Sequence, residues 1–358
     1  MPEYGRHCKP LKKLWTVLRR FWYNRGVEGQ HAVKRKYFRL PLLMLCAALA
    51  LGLLAVGLSH AVYGRSLRAS VYEIMLRRRF ASERTPEEER QRLEARRAEG
   101  EKPCVLPKSL SFKSRVEEAE REGMQVFTLN GDGLGDTDVL YLHGGAYIIS
   151  FNAYQWRFMD ALAASANCRV IAPAYHLAPY ADYEQAYSDL LGLYREISAE
   201  GRRLILMGDS AGGGLALGLA EALARAGEPL PGRLILFSPW ADVSMTNPDI
   251  AKYVPVDPIL HLNLVKVHGQ YWAGDAGTKH WQVSPLYGDM EGLPPVTLYC
   301  GTRELLYPDI LLLNERLTAA GVKTDLHVAR GLNHDYPLMP IPEGKRAVAE
   351  VVKLVRGE

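Results

Sequence analysis

Cysteine is scarce, and none of it is spaced for pairing. Cys8, Cys46, Cys104, Cys168 and Cys300 form no CxxC pair and no set with metal-ligand spacing, so neither a disulfide framework nor a zinc site is supported. Internal repeats and low-complexity tracts are also missing, which sets aside repeat arrays and biased tails. A strong net charge is absent too: the chain carries only +4. Eleven Lys/Arg fall within Met1–Arg39 against Glu3 and Glu28 alone, leaving the remainder slightly acidic. That balance argues against nucleic acid as a partner of the folded part and assigns the basic character to an N-terminal arm.

Charge disappears altogether between Leu40 and Gly64. In the run LPLLMLCAALALGLLAVGL, nineteen residues at ~1.5 Å each reach about 28 Å, close to the roughly 30 Å hydrocarbon core of a bilayer. A core helix would rarely be apolar on every side. A cleaved signal peptide is the competing reading, since Ser59-His60-Ala61 loosely resembles a small-x-small site. The preceding basic region is too long for that and the apolar stretch over-length. An uncleaved membrane anchor is therefore expected over 40–62. Six Lys/Arg precede the span within twenty residues and five follow it by Arg79. The longer basic arm tips the positive-inside rule towards an internal N-terminus and an extracytoplasmic main domain.

Within the arm (residues 1–39), Leu11, Leu14, Trp15, Leu18 and Trp22 share a helical face opposite Lys12, Lys13, Arg19 and Arg20. That pattern suits an anionic membrane surface, or else a poorly structured leader. Residues 63–107 read as a helical linker or cap. Thr85-Pro86-Glu87-Glu88 opens its second helix with an N-cap, a first-turn proline and a capping-box glutamate, and Gly100 closes it. The helix is nearly all charge, which fits a solvated spacer or the outer layer of a lid.

From 108 to 358 apolar strand-like runs alternate with helical segments. Cys168–Ala172, Leu204–Met207, Arg233–Phe237, Val296–Cys300 and Asp325–Val328 are the runs, and the alternation predicts a mostly parallel α/β sheet covered on both faces. Gln125–Leu129 and Asp138–Leu142 flank a glycine-rich turn and suggest an antiparallel hairpin at one edge. Residues 241–293 interrupt the rhythm with a lid-like insertion rich in Trp, Tyr and Pro.

The chemistry centres on Gly208-Asp209-Ser210-Ala211-Gly212. An apolar strand runs into it and an Ala/Leu/Gly-rich helical pattern leaves it, the context of a nucleophile elbow that exposes the Ser210 hydroxyl. A lone hydroxyl is a poor nucleophile, so the elbow demands a base, an acid to orient it and donors for an oxyanion. Leu140-Tyr141-Leu142-His143-Gly144-Gly145 is a strand entering two glycines, and the N–H groups of Gly144, Gly145 and Ala211 are the candidate donors. His143 shapes that loop more readily than it acts as base. Among ten histidines, His334 sits in the loop after the final strand, where the order Ser, acid, His puts the base. The acid must follow the strand Val296–Cys300. Glu304 and Asp309 compete there; Glu304 lies nearer the strand end, and Asp309 falls on the following helix.

The pair His143-Gly144-Gly145 and Gly208-Asp209-Ser210-Ala211-Gly212 resembles the hormone-sensitive-lipase-like (GDXG, α/β-hydrolase fold-3) esterases. Ala174-Tyr175-His176-Leu177-Ala178-Pro179 is similar to that family's Tyr-Arg-Leu-Ala-Pro segment, with His176 replacing its arginine. The likeness covers roughly residues 70–355. It implies an α/β-hydrolase fold with an N-terminal helical cap, a Ser–His–acid triad, no cofactor, and small-molecule acyl esters as substrates. The family usually has aspartate where Glu304 stands. Transfer of the acyl group to an alcohol or sugar rather than water, or a catalytically silent membrane-tethered binding protein, are the alternatives. Tyr147, Trp156, Trp240, Tyr271 and Trp272 could line the pocket or belong to the core, while Asp242 and Asp257 read as structural.

Overall fold

The computed structural model describes residues 31–81, 84–131 and 135–358. The amphipathic pattern at 11–25 lies outside the described residues. The chain divides into two compact units, Met1–Leu58 and Ser59–Glu358. In the first, helix α1 runs from His31 to Leu58. A window from Met44 to Tyr63, with mean hydropathy 2.1, is long and apolar enough to cross a membrane.

The second unit is built on an eight-stranded sheet. Its strands are β1 (Val116–Arg121), β2 (Met124–Leu129), β3 (Thr137–Leu142), β4 (Arg169–Ala174), β5 (Arg203–Asp209), β6 (Arg233–Phe237), β7 (Val296–Gly301) and β8 (Thr324–Ala329). Their spatial order is β1-β2-β4-β3-β5-β6-β7-β8. Every pairing from β4 through β8 is parallel. Among the described strands β2 alone runs against the others, antiparallel to both β1 and β4.

The expected hairpin between Gln125–Leu129 and Asp138–Leu142 does not form. β2 instead turns back from β1 through Glu122-Gly123, both at positive φ, and β3 lies beyond β4, paired parallel to it and to β5. All six residues of β3 are buried, which requires a place inside the sheet. β1 (VEEAER) is mostly exposed, and its charges suit an edge. Those same charges hid it as a strand, because they carry no apolar alternation.

The period-2 alternation of the strands divides the core. Leu140 and Leu142 face one layer and Val139 and Tyr141 the other. The first layer is completed by α5 (Tyr183–Ser198), α6 (Ser210–Arg225) and α8 (Tyr307–Ala319), the second by α4 (Ala153–Ala166) and α9 (Pro342–Arg356). Ahead of the sheet stand α2 (Leu67–Arg79) and α3 (Pro86–Glu99). The Thr85 capping box and the Gly100 stop appear at α3 as the sequence predicts. α3 is not solvated all round: Leu93 and Glu89 are buried, and Glu89 Oε1 meets His268 Nε2 at 2.8 Å. His268 belongs to α7 (Leu262–Ala273), inside the 241–293 insertion.

Candidate active site

β5 ends at Asp209 and α6 begins at Ser210, with no connecting loop. The turn forces Ser210 to φ 52°, a left-handed conformation that costs a non-glycine residue about 1–3 kcal/mol and persists only where its surroundings hold it. Close packing against β3 does so: a Cβ on Gly212 would lie 2.1 Å from the Leu142 carbonyl oxygen.

The long-range partners then converge. The loop after β8 presents His334, whose Nε2 lies 2.9 Å from Ser210 Oγ. The turn after β7 presents Glu304, whose Oε2 lies 2.7 Å from His334 Nδ1. Glu304 is itself held, since its Oε1 accepts from the Gly301 N–H at 2.7 Å and the Ser238 hydroxyl at 3.1 Å. Of the two acids weighed from the sequence, Glu304 reaches the imidazole. Asp309 sits in the first turn of α8 and accepts from Asn247 Nδ2 at 2.7 Å.

The loop after β3 is fastened to the elbow by Asp209, whose role the sequence did not single out. Its Oδ1 accepts from the Tyr141 hydroxyl and, at 3.0 Å, from the Gly144 N–H. Its Oδ2 accepts from Gln155 Nε2 at 2.8 Å. This use of the carboxylate explains why Asp209, at the N-cap of α6, makes no side-chain cap. It also changes the expectation for Gly144: its N–H is already committed to a buried carboxylate. No hydrogen bond among the described residues takes the N–H of Gly145 or Ala146. Gly145 adopts φ 133°, and a Cβ there would strike the Ile149 carbonyl oxygen at 2.1 Å. The Ala211 N–H lies in the first turn of α6, where no intrahelical acceptor exists.

His143 is buried against the Tyr175 ring (4.3 Å between centroids), and its Nδ1 meets the Gly144 carbonyl at 2.8 Å. Burial draws its pKa down to about 4, keeping it neutral. His176 lies apart, 3.0 Å from Glu101, on the wall of a 710 Å³ cavity beside β1 and β2. Tyr147, Trp240 and Trp272 are buried in a stack, with Tyr147 4.0 Å from Trp272 and 5.6 Å from Trp240. Trp156 packs in the opposite layer against Phe127, and Tyr271 donates to Glu94 at 2.6 Å. Asp242 and Asp257 hold loops: Asp242 accepts from Tyr287, and Asp257 from the N–H groups of Ile259, Leu260 and Leu305.

A further carboxylate completes the site. Asp335 Oδ2 lies 3.2 Å from His334 Nε2, while its Oδ1 is buried without a hydrogen-bond partner among the described residues. Burial alone would draw the His334 pKa down, but the carboxylates of Asp335, Glu304 and Asp257 outweigh it and push the imidazole up to about 10. Burial pushes the Asp335 carboxyl up, and the His334 imidazolium beside it draws it down.

A family profile described as "alpha/beta hydrolase fold" matches residues 139–338, more than half of the chain. An esterase from the bacterial hormone-sensitive lipase family superposes with a TM-score of 0.70 at 31% identity, covering 82% of this chain and 98% of that one. The chain belongs to the hormone-sensitive-lipase family of α/β-hydrolases. Related members include an acetyl-hydrolase of Streptomyces hygroscopicus, 32% identical over 59% of this chain and 72% of its own. An esterase of Acinetobacter venetianus is 29% identical over 60% of this chain and 73% of its own. This hormone-sensitive-lipase-family chain is thus an enzyme of the carboxylic ester hydrolase class. The residues matched by the family profile include both the loop after β3 and the loop bearing His334.

Proposed function

We propose that the chain hydrolyses carboxylic esters with Ser210 as nucleophile, His334 as general base and acid, and Glu304 as the carboxylate that orients it. The supporting observation is the continuous relay from Ser210 Oγ through the imidazole to Glu304, at 2.9 and 2.7 Å. In acylation, His334 Nε2 takes the hydroxyl proton as Oγ attacks the ester carbonyl carbon. Glu304 stabilises the imidazolium, which then protonates the leaving alkoxide as the C–O bond breaks. Water attacks the acyl-serine by the same route, releasing the acid and restoring the hydroxyl.

The N–H groups of Gly145, Ala146 and Ala211 are the oxyanion donors in this reading, with Gly144 serving instead to lock the loop to Asp209. The first turn of α6 adds its dipole to the developing negative charge. The acyl acceptor is water, as the names of the related acetyl-hydrolase and esterase support. The Met44–Tyr63 helix anchors the enzyme in a membrane, with residues 63–107 and 241–293 forming the cover over the site. Exposure of the large apolar side chains from Met44 to Leu58 favours lipid over a soluble core as their surroundings.

Hydrolysis of p-nitrophenyl esters of increasing acyl length by the full chain tests this reading. Turnover is expected to fall by a factor on the order of 10⁶ in Ser210→Ala. Turnover unchanged in that variant would overturn it.

A further inference from the structure

Helix α2 has two unlike faces. Its inner face buries Ala69, Glu73 and Leu76. Glu73, the helix's sole acid, is turned inward and binds Arg65, Arg77 and, at 2.8 Å, Arg303. Its outer face carries Arg68, Val71, Ile74, Met75, Arg78 and Arg79, all exposed. Val71, Ile74 and Met75 are 49%, 52% and 59% accessible. Spaced three and four residues apart, these three form one apolar stripe with arginines at both ends. No acid stands on that face.

The segment before α2 is fixed rather than free. Arg65 is buried and donates to the Gly331 carbonyl at 2.6 Å. The Ser66 N–H and hydroxyl both donate to Glu343, at 2.7 and 2.9 Å. Only Gly64, Arg65 and Ser66 separate Tyr63, the end of the apolar span, from Leu67 at the start of α2. Four residue steps reach at most about 14 Å.

We propose that the outer face of α2 docks on an anionic lipid surface, with Val71, Ile74 and Met75 entering the interface and the three arginines meeting lipid phosphates. Large apolar residues flanked by cations, with the acid withdrawn, suit the boundary between headgroups and acyl chains. A second copy of the chain fits poorly, because two such faces would bring six arginines together. The docking has a consequence for the substrate. Through Arg303 the inner face of α2 holds the residue before Glu304, through Arg65 it holds the loop leading to His334, and Tyr72 bonds Tyr154 at the start of α4. The loops of the triad are thereby seated at the bilayer, so the favoured substrates are esters partitioned into the membrane. This inference rests on the membrane-anchored esterase reading above.

The test uses the full chain reconstituted into vesicles of phosphatidylcholine alone or with one-third phosphatidylglycerol. Hydroxyl-radical labelling of Met75 is read by mass spectrometry. Labelling is expected to be at least about threefold lower on the anionic vesicles, with the difference lost at high salt and in Arg68→Glu/Arg78→Glu/Arg79→Glu. The triple variant should keep its rate on water-soluble p-nitrophenyl acetate and lose rate on a membrane-partitioned ester. Equal Met75 labelling on the two lipid compositions, in chain that floats with vesicles and hydrolyses the soluble ester, overturns the docking face alone. Protection that instead rises with protein density assigns the face to a second copy and also overturns it. Chain that fails to float with either vesicle overturns the anchor and the docking face together.

Discussion

Asp335 and His334 are adjacent in sequence, and the Asp335 carboxylate lies 3.2 Å from Nε2, the same imidazole nitrogen that faces Ser210 Oγ at 2.9 Å. His334 thus has a carboxylate at each nitrogen, with Glu304 at Nδ1. Both favour the imidazolium, and in the proposed mechanism His334 must lose that proton before it can accept one from Ser210. A base pushed up to about 10 places the acidic limb of kcat/KM well to the alkaline side of an ordinary histidine. Asp335→Asn removes one carboxylate, lowers the His334 pKa, and should move that limb down by about 1 pH unit or more. A pH–rate profile that does not move contradicts this reading of the pair.

The same shift has a sign for stability. A histidine whose folded pKa lies above its unfolded value of about 6.5 contributes stability that is complete below that value. It is lost as pH rises through about 10. Thermal melts of the wild type should therefore fall from neutral to strongly alkaline pH more steeply than those of Asp335→Asn.

Glu304 and Asp309 are separated by a pair of substitutions. Glu304→Gln removes the charge that stabilises the imidazolium and should lower kcat by about 10³–10⁴-fold. Among the described residues Asp309 accepts from Asn247 alone, and burial pushes its carboxyl up to about 7. Asp309→Asn should leave kcat within about twofold, since an amide oxygen can accept the same bond. Steady-state kinetics of the two variants on one p-nitrophenyl ester decide the matter.

Asp209 bears on both stability and turnover. Its replacement by alanine strands the Tyr141 hydroxyl and the Gly144 N–H in the core and leaves the Gln155 amide only its 3.3 Å bond to the Gly144 carbonyl. Each buried group left unpaired costs about 1–3 kcal/mol. Asp209→Ala should therefore lower the Tm and, by loosening the loop that carries Gly145, reduce kcat more than it raises KM. Asp209→Asn keeps an acceptor oxygen and should be milder on both counts.

What the sequence made legible was the meeting of Ser210, His334 and Glu304, residues whose signals are local. Ser210 announced itself because strand, turn and helix are contiguous, and Glu304 and His334 because each follows a strand end in the required order. The charged sequence of β1 and the burial of β3 between β4 and β5 were not legible, since a place in a sheet depends on pairing across the fold. Gly144 illustrates the same limit within the site. Its dipeptide marks a donor loop, but only the arrival of Asp209 from β5 decides which N–H groups remain unclaimed. Asp335 was invisible for a related reason: its αL backbone, at φ 54°, turns the carboxylate back onto its own neighbour.

The most direct measurement is the covalent intermediate itself. The full chain is mixed with p-nitrophenyl acetate, quenched in acid within the first turnover, and digested for mass spectrometry. The expected result is one acetyl group on the Ser210 side chain, absent from Ser210→Ala, whose turnover is also lost. Undiminished turnover in Ser210→Ala, or acetylation at another residue with the kinetics of the burst, would contradict the Ser210–His334–Glu304 mechanism.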